Sequence, residues 1–133
     1  MSKADQLKQV PLFSELSKRQ LARLARDCQE HTIPPGTTLV REGSMSGVSF
    51  FIIADGEAIV TIGDKQIATL GPGDYFGELE LINGRERNAT VTTTTPLRCL
   101  VMRFWDFRRF ARQNPDVTWK LLQHVVDILL PPP

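Results

Sequence analysis

Turn signals recur at short intervals between Gln29 and Arg103, at Pro35-Gly36, Glu42-Gly43, Asp55-Gly56, Gly63-Asp64 and Gly71-Pro72-Gly73. A glycine turn roughly every ten residues stops a helical stripe before it can bury itself, but leaves room for short strands. The runs between the turns are β-rich. Phe50 to Ile53 is continuously apolar, Ala58 to Ile62 has Val60 at its middle, and Val91 to Thr95 is rich in β-branched residues before Pro96 breaks it. Leu97 to Met102 makes the last strand. Closely spaced short strands predict a barrel or roll of about eight strands, so the fold class is mainly β with flanking helices.

Helical patterning appears on either side. Ser17 with Gln20 three positions later is a capping box, and Leu21, Leu24, Ala25 and Cys28 follow on one face, which predicts a helix from Ser17 to about Cys28. After the last strand Phe104, Phe107, Phe110 and Ala111 recur at helical spacing, with Arg108, Arg109 and Arg112 at the other positions, read as a solvated face. Asn114-Pro115 reads as an N-cap and first-turn proline, opening a helix with the stripe Leu121, Leu122, Val125, Ile128 and Leu129. With 133 residues, 41% of them hydrophobic, the chain has material for one core. One domain over 1–133 is expected: a helical segment 1–28, a β-roll 29–103, helices 104–130, and prolines 131–133 as a natural end or the start of a linker.

Several classes of function lose support. A net charge of +1 supplies no broad field for nucleic acid, so recognition must be local. Cys28 and Cys99 lack metal-motif or disulfide-framework spacing and read as buried free thiols. His31 and His124 have no carboxylate or cysteine at ligand spacing, so no metal site is expected. Ser44, Ser46 and Ser49 lack a nucleophile elbow and an activating histidine, so no enzyme chemistry is expected. Phe50, Phe51, Trp105 and Trp119 read as core, with Trp119, off the main stripe, the one that could meet a partner. Met1 to Gln9 is polar and has no secretory signal pattern, and no run approaches the ~20 apolar residues that span a bilayer. The cytoplasm is the expected compartment.

The segment Gly71 to Val91, GPGDYFGELELINGRERNATV, carries the chemistry. Gly73-Asp74 makes a turn, Tyr75-Phe76 starts a strand, and Gly77 removes the Cβ where a ligand could approach the backbone. Glu78 to Ile82 fits one short helical turn whose N–H groups and positive dipole end would face an anion. Arg87 supplies a planar fork of donors that grips a phosphate through two parallel bonds. A ribose hydroxyl beside that phosphate would suit Glu78.

The run Phe76-Gly77-Glu78-Leu79, then Leu81-Ile82, Arg87 and Ala89-Thr90-Val91, closely resembles the phosphate-binding cassette of cyclic nucleotide-binding domains. These occur in cAMP-dependent kinase regulatory subunits, gated channels and the bacterial catabolite activator. Leu12-Phe13 with Leu16, Pro35-Gly36, Glu42-Gly43, the run Phe50-Phe51-Ile52-Ile53, Gly56, and Phe104 to Phe110 before Pro115 fall where that family has its leading helix, roll turns and closing helices. The resemblance covers nearly the whole chain and puts the cassette at 76–90.

It implies a double-stranded β-helix that reversibly binds a 3′,5′-cyclic nucleotide, with cAMP weakly preferred over cGMP and no cofactor. Arg87 would hold the exocyclic phosphate oxygens, Glu78 the ribose 2′-hydroxyl, and the backbone of Gly77, Leu79 and Glu80 the remaining oxygen, with Asn88 and Ala89 completing the site. Glu80 stands where the family usually has a small residue, and its carboxylate is expected to turn to solvent. Asn88 stands where the family often has alanine, serine or threonine, a position that influences which purine is preferred. The final helix, ending before Pro131, is expected to enclose the base poorly. The output is expected to pass through the C-terminal helices to a homodimer partner or a separate effector, without direct DNA reading. The competing reading is a ligand-free scaffold in which Glu78 and Arg87 form a structural pair.

Overall fold

The computed structural model of the chain describes residues 2–43, 49–77 and 89–130. Among these, eight strands form two four-stranded antiparallel sheets. One sheet places β1 (Cys28–Ile33), β8 (Leu97–Arg103), β3 (Ser49–Asp55) and β6 (Tyr75–Phe76) side by side in that order. The other orders β2 (Thr38–Val40), β7 (Thr90–Thr93), β4 (Ala58–Ile62) and β5 (Lys65–Leu70). The chain switches repeatedly from one sheet to the other, and this makes the β-roll expected from the turn spacing.

The roll's core lies where the two inner faces meet. Ile53, Phe76, Leu97 and Cys99 come from one sheet, and Val40, Ala58 and Val91 from the other. Leu97, Cys99 and Val101 occupy alternate positions of β8 and pack into this cluster, while Leu100 and Met102 are buried as well. Burial of both sets of side chains explains the continuous apolar runs of β3 and β8, since a strand buried on both faces loses the polar alternation of a half-exposed one. At the β3–β4 turn Gly56 has φ +95°, and a Cβ there would run into the Pro96 carbonyl oxygen and approach Leu97 Cα to 3.0 Å. The turn therefore packs backbone against backbone, which only glycine permits.

Residues Cys28–Phe104 form one compact unit, and Met1–Asp27 with Trp105–Pro133 form another. The helical unit holds α1 (Lys3–Lys8), a 3₁₀ turn at Pro11–Phe13, α2 (Lys18–Arg26), most of α3 (Phe104–Gln113) and α4 (Pro115–Leu129). Reciprocal capping boxes start both leading helices: Ser2 with Asp5 at 3.1 and 3.2 Å, and Ser17 with Gln20 at 3.1 and 2.8 Å. Leu7, Val10, Leu12, Phe13, Leu16, Leu21 and Leu24 are buried, and Phe13 meets the edge of Phe110 at 5.8 Å.

The helical segment expected at the N-terminus begins with α1, held by its one fully buried apolar side chain, Leu7. Three expectations are corrected here. α2 ends at Arg26 rather than near Cys28, because Cys28 is already paired with Met102 as the first residue of β1. Asn114 occupies the N-cap position of α4 but makes no side-chain cap bond; its amide donates to the Phe110 carbonyl at 2.9 Å and accepts from Gln20 at 3.0 Å. In place of core tryptophans, Trp105 and Trp119 are 53% and 61% exposed.

The stripe on α4 is also different. Val117 and Leu121 are buried and Val125 is half-buried, whereas Leu122 and Leu129 are exposed; the side chain of Ile128 lies outside the described residues. Phe50 is buried and Phe51 packs against the roll core. Cys28 and Cys99 are free and buried, as expected. No described helix is long and apolar enough to cross a membrane.

Candidate functional site

The two ends of the expected cassette are described, and its middle is not. Of the seven expected site residues, Gly77 and Ala89 are described; Glu78, Leu79, Glu80, Arg87 and Asn88 lie outside the described residues. What the fold supplies is therefore a frame, built from β6 on one side and β7 on the other.

The leading side is fixed by the turn Gly71–Asp74. The Gly71 N–H donates to Asp74 Oδ2 at 2.8 Å, and the Asp74 N–H donates to the Gly71 carbonyl at 3.0 Å. The Gly73 N–H donates to the Ile53 carbonyl and the Ile53 N–H to the Asp74 carbonyl, each at 2.9 Å. These bonds lock the turn to β3 and set the register Phe51 opposite Phe76 and Ile52 opposite Tyr75. The Phe51 and Phe76 rings stack with centroids 4.8 Å apart and planes 8° from parallel. A stacked pair of this kind holds a two-residue strand that backbone pairing alone would hold poorly. Directly beyond it Gly77 adopts φ +97°, a conformation that L-residues rarely adopt.

The trailing side is equally fixed. Ala89 is buried, and Thr90 opens β7, with its hydroxyl accepting the Glu42 N–H at 2.9 Å. The Glu42 carboxylate in turn accepts the Gly63 N–H at 2.9 Å. Val91 pairs opposite Val40 of β2 and Val60 of β4. Phe76 and Val91 belong to the same core cluster, so both sides of the frame are fixed to one packed core.

Sequence reasoning located Gly77 and the turn, and missed the side chains that anchor them. Asp74, three residues after Gly71, carried a legible signal, since aspartate commonly closes a turn onto its own backbone. The Phe51–Phe76 stack and the Thr90–Glu42–Gly63 chain had none, because their partners are distant in sequence. No group of three metal-binding side chains occurs among the described residues. Burial pushes the Cys99 thiol up to about 11, which keeps it protonated and unreactive.

A family model described as "Cyclic nucleotide-binding domain" matches residues 30–114, more than half of the chain and the whole of this frame. The chain belongs to that family. The cyclic nucleotide-binding domain so defined is 38% identical to the cAMP-dependent protein kinase regulatory subunit of Yarrowia lipolytica over 77% of the chain and 28% of the relative. Among solved structures it resembles PKAR CBD2 bound to Sp-2Cl-cAMPS, with a TM-score of 0.82 and 25% identity over 95% of the chain and 86% of that structure. It also resembles the regulatory subunit of a cAMP-independent protein kinase A from Trypanosoma brucei, with a TM-score of 0.79 and 26% identity over 92% of the chain and 43% of that one. The chain spans less than a third of the length of the first curated relatives it matches.

Proposed function

We propose that residues 1–133 act as one cytoplasmic regulatory module that reversibly binds a 3′,5′-cyclic nucleotide, with cAMP weakly preferred, and that makes or breaks no covalent bond. The observation that carries this reading is the family match over 30–114 together with a two-sided frame for residues 78–88. In this reading Arg87 grips the exocyclic phosphate oxygens and Glu78 accepts the ribose 2′-hydroxyl. The backbone of Gly77, Leu79 and Glu80 takes the remaining oxygen, Ala89 closes the trailing side, and Asn88 biases the base. Glycine at Gly77, with φ +97°, supports the close approach of backbone to ligand that this requires.

Output passes through α3 and α4 to a second copy or a separate effector. The exposed apolar side chains Trp119, Leu122, Val126 and Leu129 on α4 support this part of the reading, since they leave uncovered apolar surface for an associating protein.

The likeness to a regulatory subunit of a cAMP-independent kinase favours keeping the ligand-free scaffold as a second reading. Calorimetric titration of cAMP and cGMP separates the two. One-site saturation, lost by about 2–4 kcal/mol in Arg87→Ala, is the expected result. Flat traces with both nucleotides, or an Arg87→Ala affinity within twofold of the parent, reject the nucleotide reading.

A further inference from the structure

The chain's net charge is +1, yet one face of the helical unit is strongly cationic. α2 carries Lys18, Arg19, Arg23 and Arg26 and no acidic residue. For an isolated helix this is a poor choice. Lys18 and Arg19 stand in the first turn, where the helix dipole favours anions, and Arg19 and Arg23 are four apart, where like charges repel. None of Arg19, Arg23 and Arg26 has a hydrogen-bond or ion-pair partner among the described residues, and all three are exposed.

These arginines line two grooves that share a wall. One, of about 240 Å³, runs between Arg19, Gln20 and Arg23 of α2 and Phe110, Gln113 and Asn114. The other, of about 390 Å³, lies among Arg23, Arg26, Asp27, Arg109 and Gln113. Arg109 donates to Asp27 at 3.1 Å and to the buried Asp106 at 2.9 Å, and the hydrogen bond and charge of Asp27, with Asp106 behind it, raise its pKa. Arg109 thus shares its charge between two carboxylates, yet Asp27 is the one carboxylate lining either groove, so Arg19, Arg23 and Arg26 leave the lining with an excess of positive charge.

The amides along the grooves differ in availability. Gln20 accepts from the Ser17 N–H and donates to Asn114, and Asn114 donates to the Phe110 carbonyl. Gln113 lines both grooves and has no hydrogen-bond partner among the described residues. Its amide presents one acceptor and a pair of donors, the complement of a peptide group.

We infer that these joined grooves bind an extended acidic segment of a partner protein, with carboxylates at alternate positions on Arg19, Arg23 and Arg26 and a backbone peptide group on Gln113. The spacing agrees. Arg19 and Arg23 are separated by about 6 Å of helix rise, and alternate side chains of an extended chain by about 6.6 Å. Guanidinium forks match carboxylates bidentately. A single-stranded nucleic acid would want exposed aromatic faces to stack on, and the aromatic ring in these grooves, Phe110, is buried. A membrane would want exposed apolar side chains on the rim, and the lining carries none.

The test is fluorescence anisotropy of the full chain with a labelled octapeptide alternating glutamate and threonine. Controls are the same peptide with glutamine for glutamate, an oligothymidylate, and phosphatidylserine vesicles. Saturable binding of the acidic peptide is expected, weakened at least about tenfold by Arg19→Glu with Arg23→Glu and about threefold by Gln113→Ala. Arg19→Gln with Arg23→Gln should give an intermediate loss, and all variants should keep the parent's melting profile, since the replaced side chains are exposed. The inference is overturned by absence of saturation, by an arginine-reversed variant within twofold of the parent, or by oligothymidylate or vesicles binding as tightly as the peptide. Calorimetry with cAMP on the same variants keeps the outcomes separate, because neither groove includes a residue assigned to the nucleotide.

Discussion

In β8, apolar sequence and burial agree almost position by position, whereas on α4 they part company. β8 reads Leu97 to Met102 as a nearly unbroken apolar run, and Leu97, Cys99, Leu100 and Met102 are all buried. α4 is also rich in apolar residues, yet Val117 and Leu121 are buried while Trp119, Leu122, Val126 and Leu129 are exposed. The difference lies in how many faces are covered. A strand has two faces, and pairing in register commits each side chain to one of them. A helix exposes its whole circumference, and packing on one side covers only about a third of it. Apolar residues on the remaining arc of α4 are thus left exposed, an outcome that pairing in register denies to the apolar residues of β8.

The sharpest way to break this contrast is at a position where the roll leaves no room at all. Gly56→Ala places a Cβ against the Pro96 carbonyl at a φ of +95°. Backbone strain and overpacking of roughly 1–3 kcal/mol each make a loss of about 4 kcal/mol the expected result by urea denaturation. A midpoint unchanged from the parent would show that the turn yields, and that the roll is less committed than its geometry implies.

The roll's burial can be read next through a titration. Cys99 is fully buried, and its thiol is raised from 9.0 to about 11. As pH rises the unfolded chain therefore loses this proton first. Stability is independent of the group below about pH 9 and falls by at most ~1.4 kcal/mol per unit up to about pH 11. Urea midpoints followed across that window should fall more steeply for the parent than for Cys99→Ala, and parallel curves would place the thiol in contact with water.

Asn114 probes the junction of α3 and α4. At an ordinary N-cap aspartate serves as well as asparagine. Here the amide donates to the Phe110 carbonyl, so Asn114→Asp removes a donor and sets a carboxylate against a carbonyl oxygen. A loss of about 1–2 kcal/mol in chemical denaturation is expected, whereas Ser17→Asp, at a true capping box, should stay within about 0.5 kcal/mol of the parent. Equal tolerance at both sites would restore Asn114 as a cap.

The smallest effect belongs to the exposed arc of α4. Leu129→Ser should change the monomer's stability by no more than about 0.5 kcal/mol. Sedimentation velocity of the parent and of Trp119→Ser with Leu129→Ser completes the comparison. A shift toward smaller species in the double variant assigns that arc to self-association, and coincident profiles at every concentration leave it to a different protein.

Sequence alone determined the elements whose signals are local. Gly36, Gly43, Gly56, Gly63 and Gly73 all take the positive φ that their turns require, and the strands lie between them as the spacing predicts. The Ser17–Gln20 box marked the start of α2 correctly, because both halves of a capping box lie within one turn. The cassette's residue types, from Gly77 to Arg87, pointed to the family for the same reason: the motif is contiguous. Tertiary structure decided whatever depends on distant partners. It turned Asn114 from a cap into a tie to Gln20, ninety-four positions away, and brought Phe51 onto Phe76. It also anchored Thr90 to Glu42 and buried Leu7 while exposing Trp105 and Trp119. Hydrophobicity states how strongly a side chain avoids water, but which other surface covers it depends on chain segments that only folding brings together.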